Sequence, residues 1–206
     1  SSYLSIKGNL IIEGTEAKPV IFTSARDTNY LARNYSNLPD GNPEPGDWSR
    51  IEVSENGQLN ASNVKFLYGG QKYELQYGFV FGGEWPTRII NNLGGEVNLD
   101  NTTFQNNFIR EEDADEKDKI YDALIWIEPA IGLLATTTIN HSVFDSGYLA
   151  IKNQSRDTTR DPDFTSGQNN YLSIANSSFA NFTNKDGPIA SRYGLPLMEN
   201  NSFEDN

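Results

Sequence analysis

Residues 97–107, VNLDNTTFQNN, combine a strand-like alternation with an asparagine that opens a glycosylation sequon. Apolar side chains recur at every second position, at Val97 and Leu99, and Phe104 follows after a break in the alternation. A period of two is typical of a strand with one buried face. Asn101 lies at the break, which leaves three roles open for it: glycan acceptor, ligand-binding residue or part of the scaffold.

The same pattern occurs five times along the chain. The aligned segments are NASNVKF, LDNTTF, INHSVF, IANSSF and MENNSF, which end at Phe66, Phe104, Phe144, Phe179 and Phe203. Three residues before each phenylalanine stand Asn63, Asn101, His141, Asn176 and Asn200, and the residue five positions before it is always apolar. Recurrence at intervals of 24 to 40 residues indicates a repeat protein.

Another short apolar segment precedes each copy of the repeat. These segments are residues 51–53, 79–81, 124–127, 149–152 and 189–190. No stretch shows a sustained 3.6-residue period, so the chain is predicted to be all-β. We expect a solenoid of parallel strands with about six coils, three short strands per coil and several inserted loops.

The repeat gives Asn101 a structural explanation. Asparagine tolerates left-handed backbone geometry at a bend, and its amide can bond to the equivalent amide of the next coil. We therefore predict that Asn101 is scaffold and bonds to Asn63 and His141. The five aligned residues Asn63, Asn101, His141, Asn176 and Asn200 are predicted to form a structural ladder.

The sequence also resembles a known group of proteins. The likeness is carried by GNLIIEGTEAKPVIFTS at residues 8–24, PGDW at 45–48, VKFLYGG at 64–70 and the asparagine and phenylalanine repeat. Together they are similar to the right-handed parallel β-helices of the pectate-lyase-like superfamily, and most of all to non-catalytic β-helix domains of bacterial surface proteins and lipoproteins. The resemblance implies secretion to an extracellular or cell-surface location and a setting related to carbohydrates.

Composition excludes several classes of function. The formal net charge of -12 argues against binding to nucleic acid or to an anionic membrane surface. The chain has no cysteine, and its one histidine is assigned to the ladder, so little is left for a nucleophilic triad. No apolar run approaches the roughly 20 residues of a transmembrane helix. Residues 1–206 read as a single domain, which we expect to be an excised part of a longer surface protein.

Carboxylates are the remaining candidates for catalytic residues and for metal ligands. Glycoside hydrolysis needs two carboxylates across the bond, but the predicted outward positions do not stack acids. Those positions are Arg50, Glu52, Val80, Leu124, Trp126, Ala150 and Lys152. In the acidic run 110–119, Asp113, Asp115 and Asp118 have a loose calcium-loop spacing without the glycine and distal glutamate of an EF-hand. We predict no catalytic residue and no metal site or other cofactor, with calcium at this acidic loop as the alternative.

Aromatic side chains in and near the insertions are the best candidates for contact with a partner. The insertions are residues 25–46, 69–77, 105–122 and 153–169. Exposed rings suit both sugars and protein partners, so the predicted ligand-binding residues are Tyr73, Tyr77, Trp85, Trp126 and the outward Lys152. The other interpretation is that these rings cover the ends of the loops.

Two functions follow. The favoured one is a non-catalytic extracellular or cell-surface domain for adhesion, glycan binding or structural spacing, whose partner is a polysaccharide, a cell-surface glycan or another surface protein. The alternative is a polysaccharide lyase or glycoside hydrolase acting on the outer face of the β-helix.

Overall fold

The computed structural model describes residues 3–30, 41–70, 88–107, 123–130, 133–154, 170–184, 187–191 and 195–206. Within these ranges every regular secondary-structure element is a β-strand. The strands are β1 (Leu4–Ile6), β2 (Asn9–Glu13), β3 (Val20–Phe22), β4 (Ile51–Val53), β5 (Gln58–Leu67), β6 (Ile90–Asn92), β7 (Glu96–Gln105), β8 (Ile125–Ile127), β9 (Thr136–Asn140), β10 (Val143–Gly147), β11 (Ile151–Asn153), β12 (Tyr171–Ala175), β13 (Ser178–Phe182), β14 (Ile189–Ser191), β15 (Leu197–Glu199) and β16 (Ser202–Glu204).

The strands form two sheets in which every pair of named strands is parallel. The first sheet has the order β1-β4-β6-β8-β11-β14. The second sheet has ten strands, which pair in two rows that we call tracks; the long strands β5 and β7 belong to both. One track contains β2, β5, β7, β9, β12 and β15, and the other contains β3, β5, β7, β10, β13 and β16. The predicted all-β fold with parallel strands is confirmed.

Equivalent positions of successive repeats are paired, so side chains of one type form columns. The clearest column is a run of six phenylalanine rings whose centroids are 4.8 to 5.3 Å apart. It consists of Phe22, Phe66, Phe104, Phe144, Phe179 and Phe203. Phe22 adds a sixth member to the five that the sequence alignment identified.

The hydrophobic core lies between the two sheets. Ile90, Ile125 and Ile151 enter it from the first sheet, while Leu99 and Ile139 enter it from the second. All of them are at most 2% exposed. Burial of one face of the second-sheet strands explains why apolar residues alternate with polar ones there, as in β7.

Some strand assignments from the sequence need correction. In the first sheet β4 lies between β1 and β6, and β6 is Ile90–Asn92. The segment predicted to follow β4, residues 79–81, lies outside the described residues. Leu124 and Ala150 were expected to face outward, but both are buried in the core. They immediately precede β8 and β11, where the two-residue alternation does not yet apply.

Candidate functional site

The five predicted ladder residues all lie at left-handed bends of the second sheet. Their φ angles fall between 47° and 52°, at Asn63, Asn101, His141, Asn176 and Asn200. Few residues other than glycine adopt positive φ, and asparagine is among the most tolerant of them. Each bend turns the chain from one track of the second sheet to the other, which is why the residue recurs at a fixed distance before the phenylalanine.

The side chains of this column bond to one another only in part. The Nδ2 amide of Asn101 donates to Oδ1 of Asn63 over 2.5 Å, and that of Asn200 donates to Oδ1 of Asn176 over 3.4 Å. The expected bond between Asn101 and His141 is wrong, because Nδ1 of His141 lies 3.1 Å from Oδ1 of Asp100 instead. An imidazole cannot present the adjacent donor and acceptor of an amide.

A second, buried column directly follows the first and was not recognised in the sequence. The backbone N–H of Thr102 donates to Oγ of Ser142, that of Ser142 to Oγ of Ser177, and that of Ser177 to Oδ1 of Asn201. Thr102, Ser142 and Ser177 are at most 3% exposed. The available signal was the small polar residue after the ladder position in four of the five repeats, with Val64 as the exception.

A second set of left-handed bends follows two residues after each phenylalanine. These residues are Tyr68, Asn106, Ser146, Asn181 and Asp205, with φ between 50° and 67°. The next residue can close the bend of the neighbouring repeat: Asn107 Nδ2 donates to the carbonyl of Phe66, while its Oδ1 accepts from the N–H of Gly69, both over 2.9 Å. Recurring asparagines such as Asn107 therefore form hydrogen bonds with backbone N–H and carbonyl groups at the bends.

Trp126 lies on the outer side of the first sheet, yet it is only 1% exposed. Its indole is approached by the guanidinium of Arg88, 4.2 Å from the ring centroid, and by the ammonium of Lys152 at 4.5 Å. The expectation of an exposed ring is therefore wrong, and Trp126 offers no open plane to a sugar. Cation–π contacts of this kind gain strength when they are shielded from water.

A polar network surrounds this tryptophan. Arg88 Nη1 donates to Oδ1 of Asn91 over 2.8 Å and lies 3.5 Å from Oε2 of Glu128. The Nε2 amide of Gln154 donates to Oε1 of Glu128 over 3.0 Å. The structure thus brings together two predicted site residues, Trp126 and Lys152, in a cluster whose other members the sequence did not identify.

The described carboxylates of this outer face do not form a hydrolytic pair. The outward column of paired residues is Ser5, Glu52, Asn91, Trp126, Lys152 and Ala190, with Glu52 as its only acid. Glu52 is engaged by Arg50, whose Nη2 is 3.1 Å from Oε2. Two carboxylates facing each other across a bond are not found among these residues.

The other predicted site residues lie outside the described residues. They are Tyr73, Tyr77 and Trp85, and the acidic residues Asp113, Asp115 and Asp118. Their roles stay predictions, as does calcium at the acidic loop. Among the residues that the structure does describe, no group of three or more His, Cys, Asp or Glu side chains could hold a metal ion.

Comparisons with known proteins give no further guide. No match was found to a protein-family model, to a curated protein or to a solved structure. The described part of the chain contains no helix with the length and hydrophobicity needed to cross a bilayer.

Proposed function

We propose that this chain is a non-catalytic, right-handed parallel β-helix domain of an extracellular or cell-surface protein. About six coils would stack along one axis and serve adhesion, glycan binding or structural spacing. The observation that carries the proposal is the unbroken, in-register column of six phenylalanine rings. Such a column needs successive repeats to be translated copies of one another.

The use of the polar side chains supports a passive role. Asn107 and Ser142 satisfy backbone groups at the bends. The described charges on the outer face of the first sheet are paired, as in Arg88 with Glu128 and Arg50 with Glu52. An active site needs charged side chains that are available to a substrate, whereas these charged side chains already form ion pairs with one another.

The charge of the molecule narrows the partners in this proposal. A net charge of -12 repels polyanions at long range, so a neutral glycan or a surface protein is favoured over an acidic polysaccharide. A repeat fold also presents an extended side to a partner, because equivalent residues recur every 4.8 Å or so along the stack.

A glycan array combined with reducing-sugar and unsaturated-uronide assays tests the proposal. We expect no turnover of any polysaccharide by the chain. Turnover that disappears in Glu52→Gln or Glu128→Gln, but persists in the matched control Glu13→Gln on the exposed strand β2, would establish the lyase or hydrolase alternative instead.

A further inference from the structure

Four large apolar side chains are exposed in, or just before, three neighbouring strands of one track of the second sheet. They belong to the repeats that contain β9, β12 and β15: Leu134 is 59% exposed, Tyr171 49%, Leu195 94% and Leu197 58%. We call these four residues the apolar patch. Soluble proteins rarely group exposed apolar side chains in this way unless the surface makes a contact.

The strand register places two of these side chains close to each other. Tyr171 is paired with Thr136, and Ser173 with Leu197. Tyr171 alternates with the buried Leu172, and Leu197 is paired with the outward Ser173, so both face outward. Leu134 and Leu195 are exposed two residues before β9 and β15, in the segments that lead into these strands. Neighbouring strands are about 4.8 Å apart, so Tyr171 and Leu197 lie within reach of each other across β12 and β15.

The described charges on the strands that contain or flank the apolar patch are all of one sign. Strands β7, β9, β12 and β15 contain the carboxylates Glu96, Asp100 and Glu199 and no lysine or arginine. All three acidic residues are exposed. Complementary charge on a partner would steer its approach and reject acidic competitors.

We infer that the apolar patch binds a protein segment that combines apolar side chains with lysine or arginine. Aliphatic leucines pack against apolar side chains, whereas a sugar ring needs an aromatic plane, of which this surface has one. A second copy of the chain would bring Glu96 and Glu199 against like charges. This binding surface rests on the non-catalytic role proposed above and extends it to a particular face and partner.

Synthetic peptides test this surface directly. Fluorescence anisotropy would compare a labelled ten-residue peptide of alternating leucine and lysine with leucine–glutamate and serine–lysine peptides of equal length. We expect only the leucine–lysine peptide to bind well. Its affinity should fall by about tenfold or more in the double variant Tyr171→Ser and Leu197→Ser, since truncating central aromatic and apolar contacts has effects of this size.

The matched control is Val143→Ser, which removes a 43% exposed apolar side chain from the other track of the same sheet and should leave the affinity unchanged. No binding of the leucine–lysine peptide, or equal binding by the double variant, would overturn the inference. So would sedimentation showing a dimer that the double variant dissociates, or a glycan whose binding requires Tyr171. Polysaccharide turnover would contradict the proposed function, and the peptide titration is independent of it.

Discussion

Backbone geometry explains the asparagines at the scale of single residues. Asn101 and its equivalents hold φ near 50°, where an L-residue with a longer or branched side chain is strained. At some of these positions the side-chain amide also bonds to the equivalent residue of a neighbouring repeat. The row of bonds is interrupted at His141, which contacts Asp100 instead. The bend is therefore the property common to all five positions, and the ladder bond is an addition at some of them.

Two substitutions at Asn101 separate the bend from the bond. Alanine and glycine both remove the amide, but only alanine resists positive φ, so Asn101→Ala should be less stable than Asn101→Gly by about 1 kcal/mol. Urea unfolding followed by far-UV circular dichroism would measure the difference.

Asn98 provides the internal control. It lies in the same strand, β7, outside the residues at positive φ, and its Nδ2 amide also donates to an asparagine, Asn60. At position 98 the order of stability should reverse, so that Asn98→Gly is less stable than Asn98→Ala. The reason is that glycine weakens a regular strand by roughly 0.5–1 kcal/mol relative to alanine. Equal stability of Asn101→Ala and Asn101→Gly would show that the bend is not what selects asparagine.

At the scale of elements, the core consists of columns of equivalent side chains, and each paired strand contributes one aromatic or aliphatic side chain to each column that it joins. Phe144 lies between Phe104 and Phe179, 4.8 Å from each ring centroid, and is fully buried. Stacked rings add about 0.5–1.5 kcal/mol per pair to the free energy of burial. The preceding residue, Val143, is exposed on the opposite face of the same strand.

Phe144→Ala should lower the free energy of unfolding by about 3–5 kcal/mol, because it removes a buried ring and leaves a cavity between two others. Val143→Ala should change it by no more than about 0.5 kcal/mol. Chemical denaturation of both variants provides the comparison, and Phe144→Leu serves if the alanine variant does not fold. Similar losses at residues 143 and 144 would mean that the strand is buried on both faces.

The sequence predicted those elements whose spacing is set by the core. Leu99 and Phe104 alternate because one face of the strand is buried, and five of the six stacked phenylalanines could be aligned on that basis. Phe22 was missed because residues 14–19 separate β2 from β3 and displace it from the asparagine pattern. The second set of bends was missed because Tyr68 and Ser146 share a backbone angle and no side-chain chemistry.

The candidate site was harder to predict than the fold. An outward position on a strand predicted that Trp126 would be exposed, but contacts with Arg88 and Lys152 shield it. These contacts join three different repeats, and a two-residue period within one strand contains no information about them. The apolar patch is also formed between repeats, by side chains that look unremarkable within their own repeats.

At the scale of the whole molecule, repetition places many dissimilar stretches of sequence at equal distances. Residues paired across successive strands lie about 4.8 Å apart, although between 24 and 49 residues of chain separate them. One outward column contains Ile21, Lys65, Thr103, Val143, Ser178 and Ser202 in that order. A stack of translated coils requires these six residues to be evenly spaced along a line.

Distances between spin labels along this column test the proposed stack of coils most directly. The chain has no cysteine, so pairs of introduced cysteines can be labelled without background. Counted from Ile21, the backbone separations should rise in equal steps, to about 14 Å at Val143, 19 Å at Ser178 and 24 Å at Ser202. Pulsed electron resonance distances that rise in this order by about 5 Å per strand are expected, whereas unequal steps, or a Ser202 label closer to Ile21 than the Val143 label, would contradict the stacked architecture.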